Sequence, residues 1–142
     1  MMPFHSRKDF VTAGVVTDRL KQKHKPTSFL ICPVRGVDPE TQRGIVEKLE
    51  AEGFKVHWPA RDTDQNDPDG YRICSDNLAA IRGADVVHVI WDGKSQGCLF
   101  DLGMAFALYK YIIPVELPPR SEGKSFQNMI RAYAALLGQE EA

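Results

Sequence analysis

The segment ADVVHVIWDGKSQGCLFDLGMAFALYK, Ala84–Lys110, contains the pattern that decides the fold. Its first part is apolar and rich in β-branched residues, which predicts a buried strand. A turn of small and polar residues follows, and a mostly apolar helix begins after the turn. This order is typical of one half of a βαβ unit. The helix carries one carboxylate, Asp101, in its first turns.

The same alternation of strand and helix extends along most of the chain. Further apolar runs predict strands at 28–34, 54–59 and 111–117, and amphipathic runs predict helices at 38–53, 71–83 and 124–138. Strands that alternate with helices indicate a parallel sheet with helices on both faces. We therefore expect an α/β three-layer sandwich of flavodoxin-like or Rossmann-like type, with four to five strands. Ligands bind such folds at the carboxyl ends of the strands.

The bulk composition predicts one globular domain. The chain has 142 residues, of which 43% are hydrophobic and 26% charged, and its formal net charge is -1. This charge gives no reason to expect a nucleic-acid polymer or an anionic membrane as a partner. No apolar run reaches the ~20 residues that span a bilayer. We expect a domain over residues 28–142, preceded by a basic N-terminal arm or helix over residues 1–27.

The cysteines and the N-terminus predict a reduced, cytoplasmic protein. Cys32, Cys74 and Cys98 are an odd number without metal-type spacing, and the first residues lack the apolar core of a signal peptide. The acidic run DTDQNDPDG resembles a calcium loop, but Asp67 stands where a glycine is needed and Ile73 where a glutamate is needed. We expect neither a metal nor a cofactor.

Two turns at predicted strand ends could bind an anion. CPVRG, residues 32–36, leads into a helix N-terminus, where backbone N–H groups can face a phosphate, and Arg35 beside Gly36 adds a charged fork. DGKSQG places Ser95 and Gly97 at the mouth of the next helix. Each turn also has a plainer explanation, which is a surface arginine in the first and a helix N-cap at Ser95 in the second.

Asp101 lies on a helical face made of small residues. It comes four residues after Gly97 and four before Ala105, so the three share one face. The small neighbours would leave room for a ligand beside the carboxylate. An acid near a helix N-terminus is also favourable without any ligand, because it interacts with the helix dipole.

Four further polar residues are candidates for the same cleft. Arg61 and Asp62 lie beside the end of the second strand, where they could hydrogen-bond a polar ring or belong to a solvated acidic turn. Asp76 and Asn77 lie in the helix ahead of the third strand. One of these two could point toward the cleft, and the alternative is that both lie on the surface.

Three motifs, in this order, resemble the nucleoside 2-deoxyribosyltransferase superfamily over residues 28–134. CPVRG is similar to the family's Arg-Gly turn after the first strand. NLAAIRGADVV, residues 77–87, resembles acid-Leu-x-x-Ile-x-x-Ala-Asp. SQGCLFDLGMAFAL, residues 95–108, resembles Ser-x-Gly-x-x-aromatic-Glu-Leu-Gly-x-Ala, with the interval of six from serine to acid retained. The most similar branch is that of the 2′-deoxynucleoside 5′-phosphate N-hydrolases.

The resemblance implies an enzyme that cleaves the base–sugar bond of a nucleoside 5′-monophosphate. Asp101 would be the carboxylate that attacks C1′ or stabilises the positive charge that forms there. The 5′-phosphate would be held by Arg35, Gly36, Ser95 and Gly97. A weaker match, NMIRA at 128–132, implies a homodimer in which Met129 reaches the nucleotide of the neighbouring subunit.

The sequence departs from the family pattern at three positions. Asp101 stands where the family has Glu, Asn77 stands in place of the second acid with Asp76 adjacent, and Phe29 stands where the hydrolases have Tyr. Asn77 cannot supply a proton to a leaving base. A non-catalytic nucleotide sensor on the same fold therefore stays open, as does NAD cleavage of the kind associated with TIR domains.

Overall fold

The computed structural model describes residues 25–138. Its elements are β1 (Thr27–Ile31), α1 (Pro39–Ala51), β2 (Lys55–His57), α2 (Pro59–Asp62), α3 (Tyr71–Gly83), β3 (Val86–Ile90), α4 (Gln96–Ala107), β4 (Tyr111–Glu116) and α5 (Phe126–Gly138). Each strand and helix that the sequence predicts within these residues is present. The short helix α2 occurs where the sequence indicated a polar loop. Residues 1–24, most of the predicted N-terminal arm, lie outside the described part.

The four strands form one parallel sheet in the order β2-β1-β3-β4. Phe29 of the central strand β1 pairs with His57 on one side and with Val87 on the other. The predicted α/β fold with a parallel sheet is thus confirmed. Since the chain moves from β1 outward to β2 and then returns to β3, strand order reverses between β1 and β3. The carboxyl ends of those two strands border the crevice where ligands bind in such sheets.

The two faces of the sheet have separate cores. Because side chains alternate along a strand, Phe29 and Ile31 of β1 face one side and Leu30 faces the other. The first core also contains residues of α3, α4 and α5, among them Ile81, Leu102 and Ile130. Leu30 packs with Val46 and Leu49 of α1 in the second core. The fold is therefore a three-layer sandwich with the sheet in the middle.

Helix α1 begins where its capping residue predicts. Asp38 is the N-cap of α1, its carboxylate accepts a hydrogen bond from the Glu40 backbone N–H at 3.1 Å, and Pro39 occupies the first helical turn. The longest helices have 13 residues. None of the helices within residues 25–138 is long and apolar enough to cross a membrane.

Candidate active site

A cavity of about 530 Å³ opens at the carboxyl ends of β1 and β3. Its walls are the loop after β1, the segment between α2 and α3, the exposed turn after β3, and the facing sides of α3 and α4. The lining side chains that bear on its chemistry are Arg35, Gln65, Asn77, Lys94, Ser95 and Asp101. The cavity therefore lies at the reversal of strand order.

The turn between β3 and α4 has a defined geometry. One carboxylate oxygen of Asp92 accepts hydrogen bonds from the backbone N–H groups of Lys94 and Ser95, both at 2.8 Å. These bonds lower the pKa of Asp92 below its usual value. Gly93 has φ +81°, and a Cβ there would lie 3.0 Å from Cγ of Pro118. The turn therefore requires glycine at this position.

One rim of the cavity is suited to an anion. Ser95 is the N-cap of α4, because its Oγ accepts from the Cys98 backbone N–H at 3.3 Å, and the positive end of the helix dipole lies beside it. Arg35, on the loop after β1, and Lys94, on the turn after β3, add two cations to the cavity lining. At Gly97 an added Cβ would meet only Ser95 Oγ, at 3.9 Å, so this approach is open.

Asp101 is a buried carboxylate on the cavity wall. Only 9% of its surface is exposed. Burial raises its pKa to about 7, and a side-chain hydrogen bond from Asn77, which is also buried, acts in the opposite direction. The carboxyl group therefore changes its charge near neutral pH. An ionisable group of this kind in a cleft is typical of a functional site.

The chain matches the model of one known family. The family model of the nucleoside 2-deoxyribosyltransferases matches residues 32–130. The chain belongs to that family. The matched range includes every residue that lines the cavity, and members of the family are enzymes that act on nucleosides or nucleotides. A comparison with curated proteins gives no match.

The structure separates Asp76 from Asn77. Successive helical residues are about 100° apart around the axis, so their side chains point in different directions, and one of the two lines the cavity. That residue is Asn77, whereas Asp76 is exposed and accepts a hydrogen bond from Arg72 at 2.9 Å, one turn earlier on α3. Sequence position alone did not decide between them.

Four other predicted residues do not line this cavity in the single chain. Arg61 and Asp62 pair with each other at 2.8 Å and line a second cavity, of about 540 Å³. Gly36 adopts φ +69° in the loop after β1, next to Arg35. Met129 lies on α5 with 36% of its surface exposed. The predicted roles of these residues stay predictions.

A buried glutamine that the sequence did not single out supports the loop that carries Arg35. Gln42 of α1 accepts a hydrogen bond from the Trp58 indole N–H at 3.1 Å and donates one to the Pro33 backbone carbonyl at 2.7 Å. Pro33 is the second residue after β1, so Gln42 fixes the course of the chain into the loop that carries Arg35. Its position four residues after the N-cap Asp38 gives no sign of this contact.

The thiols around the cavity are poor nucleophiles. Burial raises the pKa of Cys32 to about 12 and that of Cys98 to about 11. The pKa of Cys74 is raised as well, again mainly by burial. All three thiols are therefore neutral near pH 7.

Throughout the described range, 25–138, no three His, Cys, Asp or Glu side chains come together as a metal site would require.

Proposed function

We propose that this protein cleaves the base–sugar bond of a nucleoside 5′-monophosphate, with the Asp101 carboxylate acting at C1′. The observation that carries the proposal is a buried carboxylate and a cationic rim on the walls of one cavity. Family membership supports the choice of bond. Arg35, Lys94 and the N-terminus of α4 support the choice of a phosphorylated substrate.

The proposed reaction needs only one ionised carboxylate at the sugar. An Asp101 oxygen attacks C1′ as the C1′–N bond breaks, and the bonding electrons leave with the base. Water then attacks C1′, the bond from C1′ to the Asp101 oxygen breaks, and the sugar 5-phosphate and the carboxylate are released. The proton that the water loses neutralises the departed base. Because Asp101 is buried, its negative charge stabilises positive charge on the sugar more strongly than an exposed acid would.

The distant phosphate contributes to the rate as well as to affinity. Arg35 and Lys94 anchor the 5′-phosphate, and this contact fixes the position of the sugar relative to Asp101. Binding energy from a non-reacting group then lowers the barrier at C1′. The cavity volume of about 530 Å³ lies within the usual range for small-molecule sites.

Removing the cations should impair phosphorylated substrates selectively. We expect Arg35→Ala or Lys94→Ala to lower kcat/KM for a nucleoside 5′-monophosphate by about 10- to 100-fold, since each change removes a charge-assisted contact. Values for the unphosphorylated nucleoside should change less than about twofold by the same reasoning. The matched control is Arg82→Ala in the last turn of α3. This turn lies near the amino ends of the strands, whereas the cavity lies at their carboxyl ends. Equal losses with both substrates would contradict the assigned phosphate site.

The rate should rise with pH through the titration of Asp101. Since the ionised form reacts and burial raises the pKa of Asp101 to about 7, kcat/KM should climb about tenfold per unit below that pH and level off above it. The second ionisation of a substrate phosphate falls near pH ~6, so the profile is measured with the unphosphorylated nucleoside too. A rate that falls from pH 6 to pH 8 with both substrates is the contrary result.

One observation favours a second candidate function, a non-catalytic nucleotide sensor. Asn77 faces the cavity where the family has an acid, and Asp76 is turned to Arg72. The departing base would then lack a proton donor from α3. Thermal-shift measurements with nucleoside monophosphates distinguish the candidates. Stabilisation without any free base after prolonged incubation favours the sensor, and release of base favours the enzyme.

We further propose that the active unit is a homodimer. Phe126 and Met129 leave a large part of their apolar surface exposed on α5, which supports an interface between two copies. Light scattering coupled to gel filtration should give twice the mass of one chain. The mass of a single chain at micromolar concentration would reject the dimer.

A further inference from the structure

A line of polar side chains continues from Asp101 away from the cavity. Asn77 of α3 is followed by Thr63, the residue after α2, and then by His57 at the end of β2. Thr63 Oγ1 lies 3.0 Å from Asn77 Oδ1, and His57 Nε2 lies 2.9 Å from Thr63 Oγ1. Asn77 and Thr63 are each only 6% exposed. Buried polar groups of this kind are held by the hydrogen bonds they make.

With Asn77 Oδ1 toward Thr63, as in the structure, the donors and acceptors along this line have one arrangement. Asn77 Oδ1 can only accept, so Thr63 must donate its hydroxyl proton to it. Thr63 Oγ1 then accepts from His57, which must carry a hydrogen on Nε2. With its oxygen toward Thr63, Asn77 turns its NH₂ group to the cavity that Asp101 also lines, and hydrogen bonding from Asn77 there lowers the pKa of the Asp101 carboxyl group.

We propose that Thr63 is a positioning residue that fixes the Asn77 amide, so that its NH₂ group and not its carbonyl faces the Asp101 carboxylate. A flipped amide would place an oxygen against the carboxylate, and two acceptors repel each other unless the acid is protonated. Thr63 therefore favours the ionised form of Asp101 without touching the substrate. This inference deepens the proposed function and rests on it.

The other groups around Asp101 do not replace this hydrogen bond. The facing thiols of Cys32, Cys74 and Cys98 come from the loop after β1, from α3 and from α4, and all have raised pKa values. Arg35, Lys94 and Asp92 are the charged groups on the other walls of the cavity. Among the described side chains, Asn77 is the one whose hydrogen bond lowers the pKa of Asp101.

His57 sets the direction of the Thr63 hydroxyl from the outer end of the line. Its ring stacks on Phe29 at a centroid distance of 5.2 Å, and its charged neighbours are Arg61, Asp62 and Asp76. Burial is the main cause that lowers the pKa of His57, so the ring is neutral at pH 7. A neutral ring with hydrogen on Nε2 satisfies the arrangement.

The decisive variants are Thr63→Val, which keeps the branched shape without the hydroxyl, and Thr63→Ser, which keeps the hydroxyl. The measured quantity is the pKa of the Asp101 carboxyl group, followed by NMR of ¹³C-labelled aspartate, with Asp101→Asn used to assign the signal. We expect Thr63→Val to raise this pKa by about one unit and Thr63→Ser to change it by less than about 0.3 unit. An unchanged pKa in a folded Thr63→Val protein overturns the proposal.

A second variant covers the case in which Thr63→Val does not fold. His57→Phe preserves an aromatic ring against Phe29 but removes the donor to Thr63, so the hydroxyl can turn away from Asn77. The Asp101 pKa should then rise by about half a unit, since the hydroxyl still has access to Asn77 part of the time. No rise in this folded variant also overturns the proposal.

Activity measurements separate this inference from the proposed function. If Asp101 acts ionised, base release by Thr63→Val should fall about tenfold at pH 6 and less than about twofold at pH 9, because the pH profile moves by one unit. A shifted carboxyl pKa without base release by the unmodified protein supports the positioning role and rejects the enzyme. Base release by the unmodified protein, together with an unchanged Asp101 pKa in Thr63→Val, supports the enzyme and rejects the positioning role.

Discussion

Asp101→Asn should abolish release of free base from a nucleoside 5′-monophosphate, with kcat/KM reduced by roughly 10³-fold or more. The amide has nearly the shape of the carboxylate but cannot form a stable bond to C1′ or balance positive charge on the sugar. The proposed phosphate contacts at Arg35 and Lys94 do not involve the substituted side chain. We therefore expect the dissociation constant of the nucleotide to change by less than about threefold.

The assay is chromatography of the free base after incubation with a panel of nucleoside monophosphates. The matched control is Asp69→Asn, the same chemical change at an exposed acid between α2 and α3, which should release base at the unmodified rate. If Asp101→Asn releases base as fast as the unmodified protein, the carboxylate has no role at C1′. Loss of nucleotide affinity together with activity would instead indicate that the substitution disturbs the cavity.

Much of the fold follows from local rules that act within a few residues. The β-branched run before Trp91 predicts β3, and Asp38 followed by Pro39 predicts the start of α1. The alternation of strand and helix gives a parallel sheet, and the parallel sheet gives the edge on which the site lies. Ser95 and Asp101 could be assigned to that edge for this reason, and both line the cavity.

The rest of the site depends on contacts between distant segments. Asp76 and Asn77 are neighbours in sequence, and the rotation of α3 against the sheet decides which one meets the cavity. Thr63 meets Asn77 across 14 residues, and Gln42 meets Trp58 across 16. No spacing rule connects such pairs, because their hydrogen bonds arise only after the helices have packed. Lys94 directly precedes Ser95 in the sequence, but the sequence did not predict that its side chain lines the cavity.

The same Asp101→Asn substitution should make the protein more stable at neutral and alkaline pH. The pKa of Asp101 rises from 3.8 to about 7 on folding, chiefly through burial. Between those two values the folded state binds more protons than the unfolded state, so this group's contribution to stability falls as pH rises from about 4 to about 7. Asparagine does not titrate, so the variant avoids that loss. Well above pH 7 we expect it to gain roughly 4 kcal/mol in the free energy of unfolding.

Urea denaturation between pH 4.5 and pH 8.5 tests this expectation. The gain should shrink toward pH 4, where both side chains are uncharged. Asp69→Asn is the matched control, because it makes the same chemical change at an exposed side chain. A gain of the same size at every pH would mean that burial does not penalise the charge of Asp101. A carboxylate whose ionised form lowers stability at working pH is expected of a functional group and not of a structural one. The substitution that stabilises the fold is then the one that removes the chemistry.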